Sequence, residues 1–348
     1  MTDEINGRKI LVVGGAGFVG SNLVKKLLTF DPAQIVIVDN LLSAEFENIP
    51  DSPVITFIEG SITDDTILNG LEDDLDYVFH LATFHGNQNS IHDPLADHEN
   101  NTLTTLKLFD RVKNFNNISK VVYASAGCTV AEKTFDEAHA TSEDEPVSLY
   151  LDSPYQISKI IGEFYANYYF NLYDLPVVKA RFQNVYGPGE ILGAGQWRGT
   201  NATVWRNVTP TFIYKAINGE GLPVEGNGEV TRDFIYVEDI VDGLIACALK
   251  GAPGGVFNLA SGVETSIREL AETINEFTLN ETPIDWQPGR DWDRSGKRFG
   301  CTANSKSKLG FEAKTPLHDG LSQTIEWMVN NRPLIDNCIA KYTDRMKS

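Results

Sequence analysis

Gly14-Gly15-Ala16-Gly17-Phe18-Val19-Gly20 decides the fold of this chain. It stands between a short apolar stretch, Lys9–Val13, and the helical pattern Val19–Leu28. Gly14 permits a tight turn after a strand, Gly17 lets backbone approach a pyrophosphate, and Gly20 allows a helix to lie close on a sheet. The first turn of that helix offers N–H groups and the positive end of its dipole to phosphate oxygens. Ile35–Val38 is a second buried-strand run, and Asp39 closes it. A carboxylate there accepts from a ribose 2′-hydroxyl and repels a 2′-phosphate. The following Asn40-Leu41-Leu42-Ser43 brings no cation to hold that phosphate. Strand, glycine turn, helix and acid together predict a dinucleotide site that takes NAD rather than NADP.

Outward from this turn the alternation continues. Val54–Ile58, Tyr77–His80 and Lys120–Ala124 read as strands, with helical stretches at Asn101–Val112 and Ser153–Tyr169. The expected fold is α/β: a Rossmann-type doubly wound parallel sheet with helices on both faces. From Asn184 the rhythm changes. Gly187–Asn201 reads as a long glycine-rich loop, and helical patterns return at Ile267–Phe277 and Leu317–Asn330. A smaller mixed α/β substrate-binding domain at the C-terminal side is therefore expected. The division predicted is 1–183 plus about 233–262 for the dinucleotide domain, and about 184–232 plus 263–348 for the other.

Composition narrows the function classes. The chain has 348 residues, 42% of them hydrophobic, and no apolar run long enough to span a bilayer. A net charge of −19 argues against nucleic acid or an anionic membrane as partner, while a few placed arginines still serve a small anionic ligand. Cys128, Cys247, Cys301 and Cys338 are scattered, which fits a reduced, cytoplasmic compartment. The acidic start Met1-Thr2-Asp3-Glu4 does not read as a signal peptide. In that compartment the sequons Asn201-Ala202-Thr203 and Asn207-Val208-Thr209 carry no meaning. His85, His92 and His98 share one polar stretch, but their spacing matches no helical ligand pair, so no metal site is expected. Cys128 reads as a packing thiol. Trp197, Arg198 and Trp205 in the long loop either stack on a base or sugar or pack within the loop itself; both readings stand at this level.

Tyr155 and Lys159, in Ser153-Pro154-Tyr155-Gln156-Ile157-Ser158-Lys159, suggest the chemistry. A phenol four residues before a lysine puts both groups on one helix face. Ser153 suits the N-cap, Pro154 the first helical position, and Gln156 completes a capping-box pattern. Tyr155 would sit in the first turn, where the helix dipole and the nearby ammonium favour a phenolate. A phenol with a pKa of about 10 needs that help to act as a base near neutrality.

The Gly-x-x-Gly-x-x-Gly turn, the Tyr-x-x-x-Lys pair and Arg181-Phe182-Gln183-Asn184-Val185-Tyr186-Gly187-Pro188, in this order and spacing, resemble the extended short-chain dehydrogenase/reductases. Within them the chain is most similar to the NAD-dependent nucleotide-sugar epimerases and dehydratases. His80-Leu81-Ala82, Asn101 with Thr105, Arg232–Asp239, Phe257–Gly262 and Leu309-Gly310-Phe311 extend the resemblance from Lys9 to about Asn330.

The resemblance implies roles. Gly14, Gly17, Phe18, Val19 and Gly20 would lie against the cofactor phosphates, with Asp39 and Asn40 at the adenosine ribose. Ser61 and Ile62 would flank adenine. Leu81, Ala82 and Asn101 would line the dinucleotide cleft. Tyr155, Lys159 and Ser125 would be the catalytic residues: Tyr155 the base and acid, Lys159 holding the nicotinamide ribose and lowering the phenol pKa, and Ser125 the neighbouring family serine. His85 and Ser90 would meet the sugar, and Asn184, Arg232 and Arg290 would hold the substrate diphosphate. A homodimer built through two helices per subunit is also implied.

Three departures from the family pattern are visible. Ala126 stands where a Ser or Thr usually hydrogen-bonds the reacting hydroxyl, with Thr129 nearby and Val130 in place of an aromatic. Ser61 replaces the acid that commonly faces adenine, and Leu149–Asp152 lengthens the approach to the catalytic helix. Family dehydratases place Asp-Glu, and decarboxylases a Glu, where this chain has Ala126-Gly127-Cys128. An epimerase needs only one base and a cofactor regenerated in each cycle. The expected activity is thus 4-epimerisation of a nucleotide-diphosphate sugar, a UDP-sugar foremost, through a transient 4-keto sugar. A dehydratase, an NAD-dependent sugar dehydrogenase/reductase, or a non-catalytic nucleotide-sugar binding protein are the alternatives.

Overall fold

A computed structural model describes residues 2–127, 139–290 and 296–347. Cys128, Thr129 and Val130 lie outside the described residues. A helical turn, Thr2–Ile5, precedes the sheet. Seven strands then form one parallel sheet: β1 (Lys9–Val13), β2 (Gln34–Asp39), β3 (Ile55–Glu59), β4 (Tyr77–His80), β5 (Lys120–Ala126), β6 (Val177–Phe182) and β7 (Val256–Leu259). Their spatial order is β7-β6-β5-β4-β1-β2-β3. The chain winds outward from β1 in both directions, so β1 and β4 flank the switch point where parallel sheets open a crevice at their carboxyl ends. The doubly wound sheet expected from the alternation is the one observed.

Side-chain alternation along the strands feeds two cores. Ile10, Val12, Ile35, Ile37 and Val178 face one side with Leu23, Val24 and Leu27 of α1 (Phe18–Leu28). Leu11, Val13, Val78, Val121 and Tyr123 face the other. There they meet Leu108, Phe109 and Val112 of α2 (Thr104–Val112), and Ala166 and Tyr169 of α3 (Pro154–Tyr173). Each large apolar side chain so buried contributes about 1.5–3 kcal/mol.

A third core gathers Phe212 and Ile213 of α4 (Val208–Ile217), Leu270 and Ile274 of α6 (Ile267–Thr278), and Leu321 and Met328 of α7 (Leu317–Asn330). Ile191, Leu192 and Ala194 of the long loop belong to it. Between α4 and α6 in the chain, α5 (Val237–Lys250) returns to the first core. Leu309 and Phe311 also pack there, although the division expected from the sequence puts them in the second unit. Leu309 ends, and Phe311 follows, a π-helical turn, Ser305–Leu309, that rests on α5.

Candidate active site

The crevice at the switch point is one cavity of ≈ 680 Å³, lined from the glycine turn at one end to Arg232, Arg290 and Arg298 at the other. At the first end, Gly14 has φ +87°, and a Cβ there would come within 2.5 Å of Ala82 N. A Cβ on Gly20 would stand 2.1 Å from Gly14 O, so α1 lies directly on the turn. Gly17 differs: it caps α1 with φ −67°, and its nearest would-be contact is Gly14 O at 3.4 Å. No described residue stands in the way of a side chain at 17. The space a methyl group would take there belongs to the crevice, which fits a pyrophosphate laid on the first turn of α1.

Asp39 ends β2, its carboxylate accepting from Ala16 N (3.0 Å) and Leu41 N (2.9 Å). Burial pushes this carboxyl up from its ordinary value, and the N–H bonds from Leu41, Ala16 and Gly17 pull against that shift. The acid thus ties β2 to the glycine turn and still faces the crevice with Asn40, Ser61 and Ile62. Phe18, Val19, Leu81 and Ala82 line the same wall.

Two residues expected in the crevice stand behind its wall. Asn101 is buried in a π-helical segment, His98–Leu103, and does not line the cavity; Asn100 and Thr104 do. Asn101 Oδ1 accepts from Phe84 N (2.7 Å) and Thr83 Oγ1 (3.0 Å), and its Nδ2 donates to Asp97 Oδ1 (2.7 Å). The extra residue of a π-turn rotates this side chain off the helix surface and into the loop after β4. Ser90 is fully buried, and its Oγ accepts from Tyr155 N at 3.1 Å. Ser90 therefore meets the backbone of the predicted base rather than the cavity. It satisfies one of the N–H groups that the first turn of a helix leaves unpaired.

The start of α3 is held on both sides. Ser153 Oγ accepts from Gln156 N (3.4 Å) and donates to Asn87 Oδ1 (2.9 Å). Gln156 Oε1 reaches back to Asp152 N (2.9 Å), one residue beyond the Ser153 N–H that the capping-box pattern anticipates. The inner face of α3 presents Tyr155, Lys159 and Glu163. Lys159 is buried, donates to Ala124 O (3.0 Å), and sets its ammonium 5.8 Å from the Tyr155 ring centre. Ser125 lines the cavity, but its hydroxyl donates to Glu163 Oε1 (2.6 Å), and Arg181 grips that carboxylate with two nitrogens (2.8 and 2.7 Å). With its proton committed to Glu163, Ser125 offers the crevice a lone pair and not a donor.

Towards the third core the cavity is lined by His85, Gln88, Asn89, Glu190, Trp205, Arg206 and Asn207. Burial and the nearby cations Arg198, Arg206 and Lys159 push the His85 imidazole down to about 4, against the bond to Asn207, so it is neutral near pH 7. Trp205 lines the cavity, whereas Trp197 packs on Tyr342 with ring centres 5.8 Å apart. Arg198 is buried against the Phe84 ring and donates to Ser43 Oγ (2.9 Å). Trp197 and Arg198 thus pack within the protein, while Trp205 packs on Tyr214 and also reaches the cavity.

At the far end, Asn184, Arg232 and Arg290 line the cavity together with Lys215, Glu225 and Arg298. Arg232 donates to Thr231 O (2.7 Å) and Gly296 O (2.8 Å), and Arg290 Nε to Glu225 Oε1 (2.5 Å). Arg298 and Glu190 also line the cavity, and sequence reasoning misses them because no local pattern marks either. Among the described residues no group of three or more His, Cys, Asp or Glu could hold a metal ion, and no helix is long and apolar enough to cross a membrane.

A switch-point crevice lined by a glycine turn and by a Tyr-x-x-x-Lys helix defines a short-chain dehydrogenase/reductase of the extended type. Residues 10–260 match the model of the NAD dependent epimerase/dehydratase family, and the chain belongs to that family. A UDP-glucose 4-epimerase of Mycolicibacterium smegmatis is 32% identical over 92% of this chain and 99% of its own length. Among solved structures, the Bordetella bronchiseptica enzyme WbmF in complex with NAD+ and UDP is 58% identical, with TM-score 0.90 and 99% of both chains covered. A UDP-N-acetylglucosamine 4-epimerase from Methanobrevibacter ruminantium, in complex with UDP-N-acetylmuramic acid, is 30% identical, with TM-score 0.82, covering 94% of this chain and 99% of that one. The protein is an NAD-dependent enzyme of the epimerase type.

Proposed function

We propose that this chain catalyses 4-epimerisation of a UDP-sugar with bound NAD. One observation carries the reading: Tyr155 lines the same cavity that at one end fits a pyrophosphate on α1 and at the other gathers three arginines. That end suits a second diphosphate, because a planar guanidinium meets phosphate oxygens in pairs. The NAD+ and UDP held by the 58% identical Bordetella enzyme support the same layout.

In this reading bound NAD supplies the acceptor, and then the donor, for the hydride of the sugar C4. Tyr155 takes the proton of the 4-hydroxyl and returns it after the keto sugar has turned over. Lys159, buried on the same helix face, lowers the cost of the phenolate and holds the nicotinamide ribose. Asp39 and Asn40 take the adenosine ribose, Ser61 and Ile62 the adenine, and Gly14, Gly17, Phe18, Val19 and Gly20 the phosphates. Leu81 and Ala82 floor the cleft. Asn184, Arg232 and Arg290, now joined by Arg298, hold the sugar diphosphate. Asn101 shapes the cleft through Phe84, and Ser90 positions the start of α3. Ala126 and Gly127 place no carboxylate beside the sugar, which supports epimerisation over elimination. We keep the two-domain division as proposed, moving residues 305–311 to the first unit.

Purified protein should retain NAD and equilibrate UDP-glucose with UDP-galactose, or another UDP-hexose with its 4-epimer, as read by NMR at constant mass. Tyr155→Phe should keep its NAD and lose ~10³-fold or more in kcat. Activity near wild type in that variant would sink the assignment, and stoichiometric release of NADH would favour the dehydrogenase alternative.

We also propose a cytoplasmic homodimer. Ile157 (46% exposed), Phe164 (57%), Tyr168 (48%) and Leu172 (60%) form one apolar stripe on the outer face of α3. Such a stripe calls for a partner helix. Light scattering that finds only monomer at micromolar concentration would remove the dimer.

A further inference from the structure

Behind the proposed sugar position runs a chain of polar groups that the mechanism above leaves unused. Glu190, 3% exposed, accepts from Asn207 Nδ2 at 2.6 Å. The other end of the same amide, Asn207 Oδ1, lies 3.1 Å from His85 Nε2. The His85 ring stands edge-on to the Tyr155 ring, centres 5.9 Å apart at 77°. All four residues line the cavity. Glu190 Oε2 is buried and has no partner among the described residues, although an unpaired buried oxygen is costly and rare.

The direction of these bonds follows from Glu190. A carboxyl oxygen, whether the group is ionised or protonated at Oε2, accepts at Oε1. The amide therefore turns its NH₂ to Glu190 and its oxygen to the histidine. An amide oxygen only accepts, so His85 must carry its proton on Nε2. The imidazole is neutral, and a neutral ring with Nε2–H has a bare lone pair on Nδ1.

We propose that Glu190 and Asn207 hold His85 as its Nε2–H tautomer, so that Nδ1 accepts a hydrogen bond from a sugar hydroxyl next to the one that Tyr155 deprotonates. His85 is then a substrate-contacting, specificity-determining residue, and Asn207 and Glu190 are positioning residues. The contact selects sugars that carry a donor beside the reacting carbon. It also turns the sugar against Tyr155 at a place where residue 126 has no side-chain oxygen to do so. The inference rests on the epimerase reading for its substrate, but the tautomer does not.

Two measurements separate the two. Nitrogen-15 NMR of the NAD-loaded protein should show His85 as the Nε2–H form in wild type and in Glu190→Gln, which keeps an oxygen for Asn207. Asn207→Leu should mix the tautomers. An Nδ1–H form in wild type overturns the relay whatever the enzyme's activity. For the sugar contact, kcat/KM is measured with UDP-glucose and with its 3-deoxy and 6-deoxy analogues. His85→Phe, which keeps a ring against Tyr155, should lose ~10–100-fold on UDP-glucose. It should lose almost nothing further on the analogue that lacks the contacted hydroxyl, and Asn207→Leu should repeat that pattern. Equal losses on all three sugars, or no loss on any, overturn the contact. A wild type inert towards every UDP-hexose removes the epimerase reading and leaves the tautomer result standing.

Discussion

Two glycine-rich segments build this cavity, and they use glycine for different reasons. In the turn 14–20, Gly14 and Gly20 answer to the protein's own backbone, but Gly17 has an ordinary φ and room for a side chain. In the loop 187–199, Gly187, Gly189, Gly193, Gly195 and Gly199 all have positive φ. A Cβ on Gly195 would stand 2.3 Å from Leu42 O, and one on Gly193 2.6 Å from Cys338 C. The first segment leaves one glycine, Gly17, open to the crevice. The second spends its glycines on packing, as a buried wall that joins the third core to the loop after β2. Similar composition therefore does not imply a similar task, and the task is set by what the missing methyl group would touch.

Gly17→Ala is the sharpest test of that contrast and should have the largest effect. Stripped of nucleotide, the variant should fold with a melting temperature only a few degrees lower, the cost of Ala against Gly at an N-cap. Its affinity for NAD should fall on the order of 100-fold, because the new methyl group occupies the phosphate seat. A stable protein with wild-type NAD affinity, measured by calorimetry, would show that Gly17 is no more a ligand glycine than Gly195 is.

Gly195→Ala should behave in the opposite way. At φ +81°, with a backbone oxygen at 2.3 Å, the added carbon forces the wall away from Leu42. The expected cost is about 2 kcal/mol in unfolding free energy, read by denaturant titration. NAD affinity should stay within a few-fold of wild type. A loss of NAD binding at unchanged stability would erase the distinction between the segments.

The same contrast separates what is legible in the amino-acid sequence from what is not. The parallel sheet, the glycine turn, Asp39 and the Tyr155/Lys159 pair obey rules that act within a few residues: strand runs, caps, helix spacing. They are legible for that reason. Ser90 and Asn101 also stand out along the chain, yet their partners are Tyr155 N and Phe84 N, 65 and 17 positions away. Glu190 bonds Asn207, which reaches His85 across 122 positions. In the sequence Asn207 is only part of a sequon without meaning, and nothing adjacent to it says otherwise. Arg298 joins Arg232 and Arg290 in the cavity, although no periodicity in the sequence around it predicts that. Chemistry held by local geometry can be read from spacing, whereas chemistry held by tertiary contact needs the fold.

Glu190 supplies the last test, because it lies in the packed loop yet lines the cavity. Burial pushes its carboxyl up from 4.5 to about 7, with Arg206 and the Asn207 bond pulling it down less strongly. Between those values the folded protein keeps a proton that the unfolded chain has released. The stabilisation from this group is therefore complete below pH 4.5 and is lost as the pH rises through about 7. Glu190→Gln cannot titrate, so the variant should gain on wild type between pH 5 and pH 8. The gain should be on the order of 1 kcal/mol once relaxation around the buried group is allowed for. His85, pushed down to about 4, titrates in both proteins and cancels from the difference. Thermal unfolding of both proteins across that range measures it. A constant difference would mean that Arg206 holds Glu190 ionised throughout, and the loop would then be a structural wall alone.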